Sequence, residues 1–164
     1  MIHSFDWKVS FRNYGLFLWP EVAGTLPGDP HLAVLESEIA MRKYTRTHQW
    51  IEIAGETAAL GITAYAAREL GEIAFVELPD AGAPLRAGGC FAILESPKAA
   101  AEAITPVAGT IAEVNTALAD NLLPLSTAPE DTWIVRLAGI DPDSAANLLD
   151  GAEYAEYCRK ANAN

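Results

Sequence analysis

The sequence predicts a small all-β sandwich or barrel with a helical C-terminal end. Two features carry that reading. From Met41 onward, apolar segments of four to six residues recur between Gly, Pro and Asp turn signals. Many short strands at such spacing build a sandwich or barrel rather than a layered α/β sheet. The second feature is Asp141-Pro142, an N-cap followed by a residue suited to the first helical position, ahead of Leu148 and Leu149.

Trp50-Ile51-Glu52-Ile53 alternates and stops at Gly55, and Ala58 to Ile62 reads as its return strand. Thr63 can cap a short helix ending at Leu70, with Gly71 at its C′ position. Ile73 to Leu78 forms a strand stopped by Pro79, and Cys90 to Glu95 forms another. After a break at Ser96-Pro97-Lys98 the chain resumes at Ala103-Ile104-Thr105, turns at residues 106–109, and continues as strands over 110–114 and 132–137. Gly151 breaks the C-terminal helical run, and Ala152 to Lys160 can form a second helix presenting Tyr154, Tyr157 and Cys158.

Composition excludes several functions. The net charge of −11 repels phosphate backbones, which argues against nucleic-acid binding. The same charge suits basic patches on protein partners, or serves solubility alone. No apolar run reaches the length of a bilayer span. Cys90 and Cys158 form no scaffold or zinc-like spacing, and both read as reduced thiols. His3, His31 and His48 are scattered, so no metal site is expected. No Ser/His/Asp, Cys/His or phosphate-loop arrangement marks an enzyme.

Residues 1–40 differ in texture. Six aromatics lie between Phe5 and Trp19 without a period, followed by Pro20, Gly24, Pro27, Gly28 and Pro30. The stretch lacks the pattern of a secretory signal and is too acidic for a transit peptide. It reads as an irregular N-terminal extension, dispensable for function. Met41 is a plausible native start, which would place these residues outside the natural protein. The rival reading is a genuine extension whose aromatics cover other apolar surface.

Lysine is scarce: Lys8, Lys43, Lys98 and Lys160 are all there are. Lys98 stands far from the others in a Ser-Pro-Lys-Ala sequence between two apolar segments. Ser at the first position and Pro at the second favour a type I turn, with Lys98 at the third. That places its amine at a hairpin tip, within reach of a modifying enzyme. An ordinary solvated turn lysine would look the same.

Here the sequence resembles a known family. Glu95-Ser96-Pro97-Lys98-Ala99 is similar to the lipoylation turn of glycine cleavage system H-proteins. Thr47-His48-Gln49-Trp50 resembles that family's H-E-W opening. Gly61-Ile62-Thr63, the run Leu70 to Pro79, Pro106 to Ile111, Glu113-Val114-Asn115, Asp120-Asn121 and Trp133 follow in the family's order. The resemblance runs from residue 41 to about residue 160, and makes 41–164 the carrier domain. It implies a flattened β-barrel or sandwich of the lipoyl/biotinyl carrier type, with short marginal and C-terminal helices.

It also implies a function: a non-catalytic, cytoplasmic, monomeric shuttle carrying a covalent lipoyl group on Lys98. The implied partners are glycine decarboxylase, an aminomethyltransferase, dihydrolipoamide dehydrogenase and a lipoylating enzyme. Carried over from the family, Thr47, Gln49 and Glu102 line a cleft for the loaded arm. Gln49 replaces the family's glutamate, so one carboxylate is missing, and Glu102 is equally readable as a surface acid. Glu95 serves recognition by the lipoylating enzyme or stabilises the turn. His48 reads as a structural strand residue rather than a catalyst. Pro97 replaces the usual Val or Ser, and the segment before Trp133 is shortened. A biotin carrier would flank its lysine with methionines, which are absent here. An H-like lipoyl carrier serving lipoate relay or sulfur metabolism is the alternative, and the loss of the acid at Gln49 favours it. A non-carrier protein that has kept the fold would have little reason to keep Lys98.

Overall fold

The computed structural model describes residues 40–163, so the expectations for residues 1–40 lie, Ala40 apart, outside the described residues. Two antiparallel sheets share one apolar core. The larger uses β1 (Met41–Tyr44), β2 (Gln49–Ala54), β3 (Thr57–Ile62), β5 (Pro84–Leu85), β8 (Gly109–Val114) and β9 (Val135–Ala138), in the order β1-β2-β3-β9-β8-β5. The smaller uses β4 (Phe75–Glu77), β6 (Cys90–Glu95) and β7 (Ala100–Ile104), in the order β4-β6-β7. The arrangement is sandwich-like, as the turn spacing implied.

Alternation decides which side chains fill the core. Ile51 and Ile53 of β2, Leu60 and Ile62 of β3, and Val135 and Leu137 of β9 point into it from the larger sheet. Val76 and Leu94, paired across β4 and β6, enter from the smaller one. The other face of the β2–β3 hairpin is also covered. Trp50 is buried there opposite Gly61, donates from Nε1 to the carbonyl of Pro129 at 3.0 Å, and carries the Arg42 guanidinium over its ring. A Cβ on Gly61 would lie 2.6 Å from the indole, so this position admits only glycine beside an unmoved tryptophan.

Helix α1 (Ala64–Leu70) follows its sequence signals. Thr63 accepts a hydrogen bond from the Ala66 amide, and Gly71 ends the helix at φ +76°. Two short helices, α2 (Ala117–Asp120) and α3 (Leu123–Thr127), lack a clear apolar period and are not evident in the sequence. Strands β1 and β5 were not expected either. β7 begins at Ala100 rather than Ala103, because pairing with β6 extends it to the hairpin.

The C-terminal reading needs correction. Asp141-Pro142 starts only a 3₁₀ turn, Pro142–Ala145, and Leu149 bridges to Tyr44 instead of lying on a helix. Gly151 opens helix α4 (Gly151–Asn162) rather than breaking one. Asp150 accepts from the Glu153 amide while Glu153 accepts from the Asp150 amide, and this reciprocal cap sets the start.

Candidate functional site

The β6–β7 hairpin presents Lys98 at its tip. Residues 96–99 are closed by Ser96: its amide donates to the Ala99 carbonyl at 2.8 Å, and its hydroxyl accepts from the amides of Lys98 and Ala99. The serine side chain thus supplies the acceptor that a backbone carbonyl would give in an ordinary type I turn. Pro97, Lys98 and Ala99 are exposed. An ε-amine so placed can be acylated without disturbing the core. Glu95 is exposed beside the turn, and among the described residues the hydrogen bonds that close the turn come from Ser96.

The register of the smaller sheet gathers three carboxylates on its outer face. Phe75, Glu95 and Ala100 form one row, and Glu77, Ile93 and Glu102 the next. Among the described residues, Glu77, Glu95 and Glu102 form no ion pair, and Phe75, paired with Glu95, is 53% exposed. The lysine tip therefore adjoins an acidic face with an apolar residue at its edge.

Further along β7, Ile104 lies on the same face as Glu102 and lines a cleft of about 240 Å³. Arg46, Thr47, Gly88, Leu148 and Leu149 complete much of its wall. The structure thus brings Thr47 to the cleft, with Glu102 one strand period before it. It does not bring Gln49 to the cleft wall. Gln49 is 4% exposed and lies behind Thr47: its Oε1 accepts from the hydroxyls of Thr45 at 2.9 Å and Thr47 at 2.5 Å, and its Nε2 donates to the Thr47 carbonyl at 2.6 Å. The amide holds the turn from within, a role that needs both donor and acceptor.

His48 is not a strand residue. It occupies the turn before β2 with φ +68°, where a non-glycine side chain is rare. Its ring stacks on Tyr65 at 4.1 Å, and Nδ1 meets the Tyr154 hydroxyl at 2.8 Å. Sequence reasoning missed this cluster, because Tyr154 lies 106 residues away on α4. The left-handed residue gave little signal either, since glycine is the usual marker of such a turn.

Burial lowers the His48 imidazole below its ordinary value of about 6.5, with Glu69 opposing weakly. The unfolded chain then takes up the proton first as pH falls. His48's contribution is complete above about pH 6.5 and is lost as pH drops through the folded value. We expect the thermal midpoint to fall more steeply from pH 7 to pH 5 in the natural chain than in His48→Asn, since Asn tolerates the left-handed turn without titrating. Parallel curves would contradict this.

A family model described as glycine cleavage H-protein matches residues 42–161. This chain belongs to the glycine cleavage H-protein family. Among its relatives, the glycine cleavage system H protein of Phenylobacterium zucineum is 38% identical over 116 residues, 70% of this chain and 96% of that one. The mitochondrial H protein of Oryza sativa subsp. indica is 37% identical over 123 residues, covering 74% of this chain and 75% of the relative. The crystal structure of an H protein from Mycobacterium marinum superposes with a TM-score of 0.62 at 34% identity, over 70% of this chain and 94% of that one. H-proteins are lipoyl carriers.

Proposed function

We propose that the chain is the lipoyl-bearing shuttle of a glycine cleavage system, and that Lys98 is its attachment residue. The observation that carries this reading is the exposed Lys98 amine at a serine-closed hairpin tip, within a chain of the H-protein family. When attached, a lipoyl group supplies a dithiolane that takes the aminomethyl group from glycine decarboxylation and gives it up to the transferase. The residues of this chain do no chemistry on glycine; they tether, present and shelter.

Shelter has a geometric basis. The outward row Ala100, Glu102, Ile104 leads from the hairpin to the cleft, a span of roughly 14 Å at about 3.4 Å per residue. Glu102 can pair with a cationic amine along that row, and the Thr47 hydroxyl offers a polar contact at the wall. Ile104, Leu148 and Leu149 offer apolar surface to a hydrocarbon arm. Gln49 acts indirectly, by fixing Thr47. The acidic face around Phe75 suits partners with a basic rim, and Glu95 is its member nearest the lysine, fitting recognition by the lipoylating enzyme. Glycine decarboxylase, the aminomethyltransferase and dihydrolipoamide dehydrogenase are the corresponding working partners. No helix among the described residues is long and apolar enough to cross a membrane. We assign the carrier to the cytoplasm, as a monomer.

The test is exchange of the glycine carboxyl carbon with bicarbonate, using lipoylated chain and glycine decarboxylase. Exchange that depends on the chain is expected; none, with lipoylation intact, would point to another lipoyl-dependent pathway. Thr47→Val is expected to speed loss of the aminomethyl group about fivefold, the effect of one ordinary hydrogen bond. An unchanged rate in both Thr47→Val and Glu102→Ala would remove the cleft assignment.

A further inference from the structure

We propose that Tyr154 is a positioning residue for the carried arm: through His48 it latches the turn of residues 45–48 in the form that aims Thr47 at the cleft. This rests on the assignment of that cleft to the arm.

The chain of contacts is continuous. Thr45 and His48 close the turn through a 3.2 Å backbone hydrogen bond, and the amide and carbonyl of Gln49 both return to Thr45. The turn requires His48 at φ +68°, a conformation an L-residue holds only when its surroundings over-determine it. Three contacts do so here. Tyr65 stacks on one side of the ring, Tyr157 approaches at 5.8 Å, and the Tyr154 hydroxyl fixes Nδ1. Tyr154 is itself pinned: buried, stacked on Tyr44 at 4.7 Å, and 2.7 Å from the Thr63 hydroxyl that caps α1.

The protons can be assigned. The phenol stays protonated because burial raises its pKa, and the imidazole stays neutral because burial lowers its own. Tyr154 then donates to Nδ1 and accepts from Thr63, which in turn accepts from the Ala66 amide. A second tether runs in parallel, from the Tyr157 hydroxyl to the Arg46 carbonyl at 3.1 Å. One face of α4 is thereby attached to the turn that carries Thr47, although α4 is remote from Lys98 in sequence.

The test uses the full chain, unmodified and lipoylated. In the unmodified protein, Tyr154→Phe should reduce hydrogen-exchange protection of the Gln49 amide, which donates to Thr45 Oγ1 at 3.0 Å. In the lipoylated protein it should raise loss of the aminomethyl group about fivefold, the size of one hydrogen bond. Asp150→Ala removes the helix cap without touching His48. It should lower the thermal midpoint yet leave the release rate unchanged, which a merely structural role of α4 would not allow. In a His48→Gly background the turn needs no latch, so adding Tyr154→Phe should have no further effect on release. If Thr47→Val speeds release and Tyr154→Phe does not, the latch is wrong and the cleft assignment stands. If neither speeds release, both fall. Should Tyr154→Phe not fold, the ¹⁵N shift of His48 Nδ1 in the natural chain decides: a shift typical of a free imidazole nitrogen overturns the latch.

Discussion

Lys98→Arg should abolish lipoylation of the chain, and with it all glycine-dependent exchange, while the fold survives. Intact mass from lipoate-replete cells should show one lipoyl addition in the natural chain and none in the variant. The guanidinium remains charged at all workable pH and does not serve as an acyl acceptor. The other lysines of the described residues are poor substitutes. Lys43 is half-buried in β1, and Lys160 pairs with Glu156 on α4. Neither stands at a hairpin tip. The thermal midpoint should stay within about 2 °C, since an exposed turn side chain contributes at most a few tenths of a kcal/mol. A lipoyl adduct on the variant would refute the assignment of Lys98. A collapsed midpoint would refute the claim that the tip is independent of the core.

The largest effect on stability is expected at Trp50. Trp50→Ala should cost about 3–5 kcal/mol, the range for removing a large buried aromatic. It deletes an indole that is 1% exposed, leaves the Pro129 carbonyl with only the Thr132 amide as donor, at 3.3 Å, and strips the Arg42 guanidinium of its aromatic partner. Arg42 keeps its 2.8 Å ion pair with Glu52, so the loss is mainly of packing. Gly61→Ala should be destabilising for the complementary reason, because its methyl would enter the indole itself. The double variant tests the mechanism. With the indole gone the added methyl has room, so Gly61→Ala should be nearly silent in a Trp50→Ala background. Denaturant midpoints of the four proteins give the cycle. Additive losses would mean that Gly61 is constrained by something other than Trp50.

Much of the architecture was legible because its causes are local. The β2–β3 hairpin follows from alternation ending at Gly55, and α1 from Thr63 and Gly71 at its ends. The lysine tip follows from Ser96-Pro97 between two apolar segments. Elements that escaped have non-local causes. β1 exists because β2 offers it a partner edge, and the first residues of β7 because β6 extends opposite them. The start of α4 differs from the sequence expectation because Gly151 is a poor helix residue. The reciprocal hydrogen bonds of Asp150 and Glu153 outweigh that propensity.

The site divides in the same way. By itself the sequence determined the sandwich class, the isolation of Lys98 and the turn that exposes it, since composition, alternation and turn chemistry act over a few residues. Family likeness in the sequence pointed to Thr47, Gln49 and Glu102 for a cleft, and of these only Thr47 lines the one described above. Only the tertiary structure decided that Gln49 is buried behind Thr47, that Glu102 shares an outer face with Glu77 and Glu95, and that His48 is held in a left-handed turn by Tyr154. Those outcomes depend on strand register and on a helix folding back across more than a hundred residues. Contacts of that range are fixed by packing the whole core, and no local pattern encodes them.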